Sequence, residues 1–383
     1  MKIAIFGAGE AGRHLYNEIK KKSGDIEVET FLDNKLEGNI DRIDIQKPDL
    51  YLKNSSNCID AVFMAAGAQK TNLIMMNTLL SFGVKNIYML HDIAGKCNLP
   101  VFDENGQIMS QRLRRIRFNE EKPSMPYIEV PITDQCNLNC KGCLFACNHT
   151  DQLEHVPASQ VISDLKRMSE LFSDIPWIRI LGGEPLMHPD LLEILNSARC
   201  IFPDSEIDLC TNGLMIPKLN DEFFDQLKES RISIHVSGYK PTYGILEQID
   251  EKLKNSGLNY TILKREKFLK YYTEESGHDI ERNFANCIAS GCRELYRGRL
   301  MRCSGVIAFE KMNKQFHTNY KIIPGSDWYD IYDNNLDVWQ MIKELNHGAP
   351  SCGYCDTVNM EEFDWDYGGV KPSLKDYMIV NKQ

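Results

Sequence analysis

The strongest constraint on this chain is a rhythm that occurs twice: short apolar runs alternate with helical patterns, and the alternation breaks once, near residue 100. The first series runs from Lys2 to Phe6, through a helix carrying Tyr16 and Ile19, to Val28–Leu32. It continues with Ala61–Met64, an apolar helix around Leu73 to Phe82, and Val84–Leu90. Strands separated by helices imply a parallel sheet with crossover helices, so residues 1–99 are expected to form a short Rossmann-like α/β domain. Residues 100–126 lose the rhythm and contain Asn105-Gly106, an arginine run, Pro123 and Pro126, the pattern of a linker with one short helix. From Tyr127 a second βα series begins, with strands expected at Tyr127–Ile132, Trp177–Leu181, Glu206–Cys210, Arg231–Ser237 and Tyr260–Leu263. Helical stretches at Ser159–Phe172 and Pro189–Ala198 fill gaps between them. It is expected to span 127–280, and the irregular, cysteine-rich stretch 281–383 to be a small extension ordered by a metal centre.

Length agrees with more than one core, since single cores stop growing near roughly 250 to 300 residues and this chain has 383. A net charge of -10 argues against a general polyanion surface, and hence against a nucleic-acid partner. The run Arg112, Arg114, Arg115 and Arg117 reads as a solvated helix face. No apolar stretch approaches the ~18 residues of a membrane span, and the N-terminus lacks a signal pattern. Cytoplasmic residence is the expectation. In a chain of this size without a signal, 13 cysteines point to metal or redox chemistry rather than a disulfide framework.

Thr133-Asp-Gln-Cys136-Asn-Leu-Asn-Cys140-Lys-Gly-Cys143 follows directly on an apolar strand, at the end where βα barrels carry their chemistry. Three thiolates at this spacing can wrap one face of an iron–sulfur cube and leave the fourth iron open. A zinc site completed by Cys147 or His149 uses the same residues. Leu181-Gly182-Gly183-Glu184-Pro185 follows the next strand, then Leu209-Cys210-Thr211-Asn212-Gly213 and Ile232-Ser-Ile-His-Val-Ser237 close two more.

Taken in order, these motifs resemble the radical S-adenosylmethionine (SAM) superfamily. The resemblance implies a partial (β/α)6 barrel and a 4Fe-4S cluster on Cys136, Cys140 and Cys143 with SAM at its open iron. It further implies a methionine site at Gly182, Gly183, Glu184 and Pro185, with Thr211, Asn212 and Ser237 as cofactor contacts. An electron donor such as flavodoxin or ferredoxin would reduce the cluster, and the resulting 5'-deoxyadenosyl radical would take hydrogen from a substrate carbon. One departure is Gly142, where relatives often carry an aromatic or aliphatic residue before the third cysteine, so the adenine contact must come from elsewhere. The form Cys-Asn-Leu-Asn-Cys-Lys-Gly-Cys, with Tyr239-Lys-Pro-Thr242, is similar to radical enzymes of carbohydrate and surface-polysaccharide pathways.

Cys287, Cys292, Cys303, Cys352 and Cys355 occupy the tail, and Gly298-x4-Cys303 with Cys352-x2-Cys355 resembles the twitch extension, a shorter relative of the SPASM extension. That likeness implies one auxiliary 4Fe-4S cluster on four of the five, with Cys287 placed better than Cys292. Structural zinc is the alternative. Cys58, Cys97, Cys147, Cys200 and Cys210 remain as packing residues, although Cys210 at a barrel mouth and Cys147 near the cluster are candidate hydrogen-atom donors.

Gly7-Ala-Gly9-Glu-Ala-Gly12 follows the first strand and opens a helix, the context in which such glycines let a pyrophosphate approach free amides. Asp33, 21 residues after Gly12, is placed to receive a ribose or base. A nucleotide or nucleotide sugar is expected ahead of NAD, with a ligand-free scaffold as the alternative. The chain as a whole therefore reads as an enzyme oxidising or epimerising a sugar or polyol, probed against two other classes: a peptide-modifying maturase, and a nucleotide-binding regulatory or electron-transfer protein.

Overall fold

A computed structural model describes residues 1–55, 58–66, 69–90, 100–109, 112–116, 121–147, 154–368 and 373–379. Cys97, Arg117 and His149 lie outside the described residues. The chain forms two compact units, Met1–Pro126 and Tyr127–Gln383.

The first unit contains β1 (Lys2–Phe6), α1 (Glu10–Lys22), β2 (Glu27–Leu32), β3 (Gly38–Ile40), β4 (Ile43–Gln46) and α2 (Pro48–Ser55). It continues with β5 (Ala61–Met64), α3 (Gln69–Ser81), β6 (Ile87–Leu90) and β7 (Leu113–Arg115). The sheet order is β3-β4-β2-β1-β5-β6-β7. Its five inner strands are parallel, and β3 and β7 are antiparallel edges. β1 is apolar from Ile3 to Phe6 because both faces are covered there: Ile3 and Ile5 pack with Leu15 and Ile19 of α1, while Ala4 and Phe6 pack with Met75 and Leu79 of α3.

Residues 100–126 are not a linker. Val101, Phe102 and Leu113 are fully buried in the core with Leu15, and Phe102 bridges Ile108 across the Asn105-Gly106 turn. The loss of βα rhythm marks a change to antiparallel edge structure, and no helix forms among the described residues of the segment. Of the arginine run, Arg115 is exposed, but Arg112 and Arg114 are buried rather than solvated, and the Arg112 Nε donates to the Pro100 carbonyl at 3.3 Å.

The second unit opens with β8 (Tyr127–Pro131), α4 (Ala158–Leu171), β9 (Trp177–Leu181), α5 (Leu191–Ile201), β10 (Glu206–Thr211), α6 (Asp221–Glu229), β11 (Ile232–Gly238), α7 (Leu246–Ser256) and β12 (Tyr260–Lys264). These five strands are consecutive and parallel. The remainder is β13 (Lys267–Lys270), α8 (Ile280–Asn286), β14 (Glu294–Tyr296), β15 (Arg299–Met301), α9 (Ser304–Phe316), β16 (Trp328–Asp330), α10 (Val338–Leu345) and β17 (Glu361–Asp364).

Two expectations change here. After β12 there is no crossover helix, and β13 pairs antiparallel with β17 in a separate ribbon. Five strands, β8 to β12, thus follow in chain order, and the sixth parallel strand is β14, which joins the opposite edge beside β8, with β15 and β16 following antiparallel. β14 to β16 therefore extend the same sheet instead of standing apart as an irregular extension. Among the described residues no helix is long and apolar enough to cross a membrane.

Candidate active site

At the C-terminal ends of the parallel strands lies a cavity of about 320 Å³, and Cys136, Cys140 and Cys143 are among its lining residues. The loop carrying them is docked onto the turn after β9. Gly183 N donates to the Thr133 carbonyl at 2.7 Å and Glu184 N to the Gln135 carbonyl at 2.7 Å. A Cβ on Gly182 would stand 2.5 Å from the Thr133 oxygen, and one on Gly183 2.2 Å from the Gln135 oxygen. The close approach these glycines permit is therefore to the cysteine loop.

Glu184 is completely buried. It accepts from Leu186 N at 3.1 Å, Thr211 Oγ1 at 2.7 Å and Asn212 N at 2.8 Å, and burial pushes its carboxyl up to about 7 against those donors. Asn212 in turn donates Nδ2 to Asn137 Oδ1 at 2.6 Å. Gly182, Gly183, Thr211, Asn212 and Ser237 line the cavity, whereas Glu184 and Pro185 are not among its lining residues, and Glu184 ties the end of β9 to that of β10.

The thiols fit a metal centre better than they fit free cysteines. Burial pushes Cys136 up and Cys140 up to about 12, yet donors are aimed at both sulfurs: Leu138 N at 3.4 Å and the Trp365 indole at 3.1 Å. Cys143 is drawn down to about 6, chiefly by the Cys147 thiol. Tetrahedral zinc at ~2.3 Å from each sulfur would hold its ligands ~3.8 Å apart. Among the described residues, the one group of three or more ligand atoms mutually within 4.8 Å is Glu129, Cys292 and Glu294. Three thiols carried by one loop into the same cavity suit a four-iron cube that keeps one iron open. Gly142, at φ +66°, leaves the space that the Phe363 ring of β17 enters, 2.9 Å from where a Cβ would sit. The bulky group expected beside the third cysteine thus arrives from a distant segment.

The tail cysteines separate into four and one. Cys287 ends α8, Cys303 precedes α9, and Cys352 and Cys355 lie in or beside the Pro350–Tyr354 turn. Cys355 feels the charges of Cys303, Cys287 and Cys352, and Ala289 N donates to the Cys287 sulfur at 3.3 Å. Cys292 instead sits with Glu129 and Glu294, which are direct partners across β8 and β14.

Inside the barrel, Glu129, Arg179, Cys210, His235 and Ser237 line the cavity floor and wall. Arg179 approaches Asp208 at 3.5 Å, and His235 Nδ1 pairs with Thr261 Oγ1 at 2.8 Å. Burial, with Arg179 and Arg265 nearby, lowers His235 to about 3, so the ring is neutral. Burial pushes the Cys210 thiol up, which keeps its proton. Glu129, Arg179 and His235 escaped the motif reading, although each interrupts an apolar strand at an inward position, and that alternation was the available signal. Cys58 and Cys200 are exposed.

In the first unit, Gly7 adopts φ +110° and a Cβ there would meet the Ala65 oxygen at 2.3 Å, while a Cβ on Gly12 would meet the Gly7 oxygen at 1.8 Å. Gly9 has nothing within 4 Å. Asp33 accepts from Ala8 N at 2.9 Å, Lys35 N at 2.8 Å and Leu36 N at 2.9 Å. Partial burial raises its carboxyl, but these amides and Lys47 bring it below its ordinary value. A carboxylate offers about four acceptor sites, so most of this one is spent on the glycine loop and on the turn after β2.

Residues 130–278 match the model of the radical SAM superfamily. That stretch is a radical SAM domain. Similar proteins include the GTP 3',8-cyclase of Helicobacter pylori, 31% identical over 141 residues that make up 33% of this chain and 43% of that protein. The GTP 3',8-cyclase of Lactiplantibacillus plantarum is 26% identical over 189 residues, 43% of this chain and 55% of that one. The chain thus spans about half the length of these curated relatives. Similar radical SAM structures include BtrN in complex with AdoMet and 2-DOIA, at 16% identity and TM-score 0.36, covering 62% of this chain and 95% of BtrN. Native anSMEcpe with bound AdoMet is similar at 19% identity and TM-score 0.29, over 36% of this chain and 44% of that one.

Proposed function

We propose that this protein is a radical SAM enzyme that removes a hydrogen atom from a carbon of a small polyhydroxylated substrate, a sugar or polyol, leading to oxidation or epimerisation. The observation that carries this reading is the set of polar side chains that face the barrel interior among its apolar lining. Packed βα barrels fill their centre with Val, Ile and Leu, whereas here Glu129, Arg179, His235 and Ser237 face the cavity. Polar groups held in such a place are costly unless something pairs with them. A ring of hydroxyls, each both donor and acceptor, suits this mixture of a carboxylate, a guanidinium, a neutral imidazole and a hydroxyl.

A 4Fe-4S cluster on Cys136, Cys140 and Cys143, with SAM, supplies the radical that abstracts hydrogen when both are bound. Gly182, Gly183, Thr211, Asn212 and Ser237 form the wall against which SAM would lie. The protonated Cys210 thiol, which lines the cavity, would return a hydrogen atom to the substrate radical and become a thiyl radical, to be restored by one electron from the external reductant and one proton; this favours epimerisation. Cys287, Cys303, Cys352 and Cys355 would hold an auxiliary cluster, which favours electron removal. Cys147 is directed at Cys143 and is set aside as a donor to substrate. A nucleotide handle in the first unit is not included, because Asp33 is committed to the amides of the glycine loop and of its own turn.

The test is anaerobic turnover of reconstituted protein with reductant and panels of sugars, polyols, nucleotide sugars and peptides. The reading expects 5'-deoxyadenosine in step with a carbonyl product or with solvent deuterium at an inverted carbon. If only peptides stimulate turnover, the substrate assignment is wrong. Cys210→Ala should abolish inversion while leaving deoxyadenosine formation intact; inversion at the wild-type rate would remove Cys210 from that role.

A further inference from the structure

We propose that Trp365 raises the reduction potential of the cluster on Cys136, Cys140 and Cys143 by donating its indole N–H to the Cys140 sulfur. This rests on the assignment of that cluster. The Nε1–Sγ distance is 3.1 Å, and the ring is 9% exposed. An indole nitrogen is a donor only, and a buried one needs an acceptor; the acceptor here is a cysteine sulfur from a position 225 residues away.

The donor is held in place by the backbone around it. Trp365 follows β17, which pairs with β13, and its own N–H binds the Glu266 carbonyl at 2.9 Å. Beyond it the chain runs along the cysteine loop. Lys141 N donates to the Asp366 carbonyl at 3.1 Å, Gly368 N to the Asn139 carbonyl at 2.7 Å, and Gly142 N to the Asp376 carbonyl at 3.0 Å. An ion pair between Lys141 and Asp366 at 2.5 Å adds a side-chain link. These contacts bracket Cys140 on both sides, so the indole has little freedom to turn away.

Hydrogen bonds to cluster sulfurs are among the determinants of reduction potential. Reduction places extra electron density on the thiolate ligands, and a donor aimed at one of them stabilises the reduced form more than the oxidised form. The strap also starts just past Cys352 and Cys355, with Trp365 ten residues beyond the latter. The segment that supplies two tail cysteines therefore also tunes the first centre.

The experiment is a redox titration of the reconstituted protein followed by electron paramagnetic resonance, using the signal that changes when SAM is added to identify the open-iron cluster. Trp365→Phe keeps the ring and removes the N–H, and should lower the midpoint of that signal without changing iron content or the other cluster's midpoint. Trp365→His, which restores a ring N–H, should recover part of the shift. Equal midpoints in wild type and Trp365→Phe would overturn the proposal. If the variants lose iron, wild type with 15N-labelled indole decides: hyperfine coupling between the reduced SAM-responsive cluster and an indole nitrogen is expected, and its absence also overturns it. Failure of the underlying assignment looks different, because wild type would then show no SAM-responsive iron–sulfur signal at all.

Discussion

Two glycine-rich turns follow parallel strands in this chain, and each has a nearby carboxylate, yet they behave differently. In Gly182-Gly183-Glu184-Pro185 the glycines clamp one strand end to the loop bearing three cysteines, and the turn borders a polar cavity. In Gly7-Ala-Gly9-Glu-Ala-Gly12, Gly7 and Gly12 serve contacts inside the first unit, and Asp33 closes back on the same loop. The shared pattern records close backbone approach. Whether the approach serves a reactive site depends on what else converges there.

That difference can be broken at the glycines themselves, where the largest effects are expected. Gly183→Ala would set a Cβ 2.2 Å from the Gln135 oxygen, and Gly12→Ala one 1.8 Å from the Gly7 oxygen. Backbone cannot yield cheaply at either place, so each should cost about 4 kcal/mol or more. Gly183→Ala should lose iron as well as stability, while Gly12→Ala should lose stability and retain iron in the fraction that folds. Chemical denaturation paired with iron analysis reads both, and iron loss from Gly12→Ala would erase the contrast.

The carboxylates come next, and their pH dependences should have opposite signs. Glu184 is raised from its ordinary 4.5 to about 7. Its contribution to stability is fully present below the unfolded value and is lost as pH rises through about 7, a change on the order of 3 kcal/mol. Asp33 is lowered from 3.8, so its smaller contribution is present above that value and is lost as pH falls through the folded one. Glu184→Gln turns an amide NH2 toward a donor and should cost about 2 kcal/mol, flattening the alkaline loss. Asp33→Asn should cost about 1 kcal/mol and flatten the acid side. Melting curves between about pH 2 and pH 8 follow both, and like-signed slopes would show that the two carboxylates do the same job.

The legible parts of the fold were those with a local cause. Trp177–Leu181 was read to the residue, because four of its five residues are apolar and only Arg179 breaks the run. β3 and β4 were missed, being short and half-exposed, with burial patterns that carry no clean alternation. Edge strand β7 hid in an arginine-rich stretch that looked like a linker. At the site, spacing was enough to find the cysteine loop and the glycine turn, since each is contiguous. Spacing from Gly298 favoured Cys287 over Cys292, and it could not foresee that the pairing of β14 with β8 sets Cys292 beside Glu129. Phe363, Trp365 and Glu294 escaped entirely, because what gives them meaning is a contact with residues more than a hundred positions away.

The smallest expected effect is also the sharpest probe of the first turn. A Cβ at Gly9 meets nothing within 4 Å, so Gly9→Ala should change stability by no more than about 0.5 kcal/mol. Gly9 precedes α1, and its open face is where an anion would approach the helix amides, so a methyl group there obstructs a ligand without disturbing the fold. Titrating wild type with UDP-sugars, CDP-sugars and NAD, and repeating with Gly9→Ala, separates the two uses of this loop. No binding by wild type means that the glycines serve packing alone. Binding that Gly9→Ala weakens at unchanged stability would give the first turn a ligand after all, and the contrast with Gly182-Gly183 would then lie in the chemistry each turn serves.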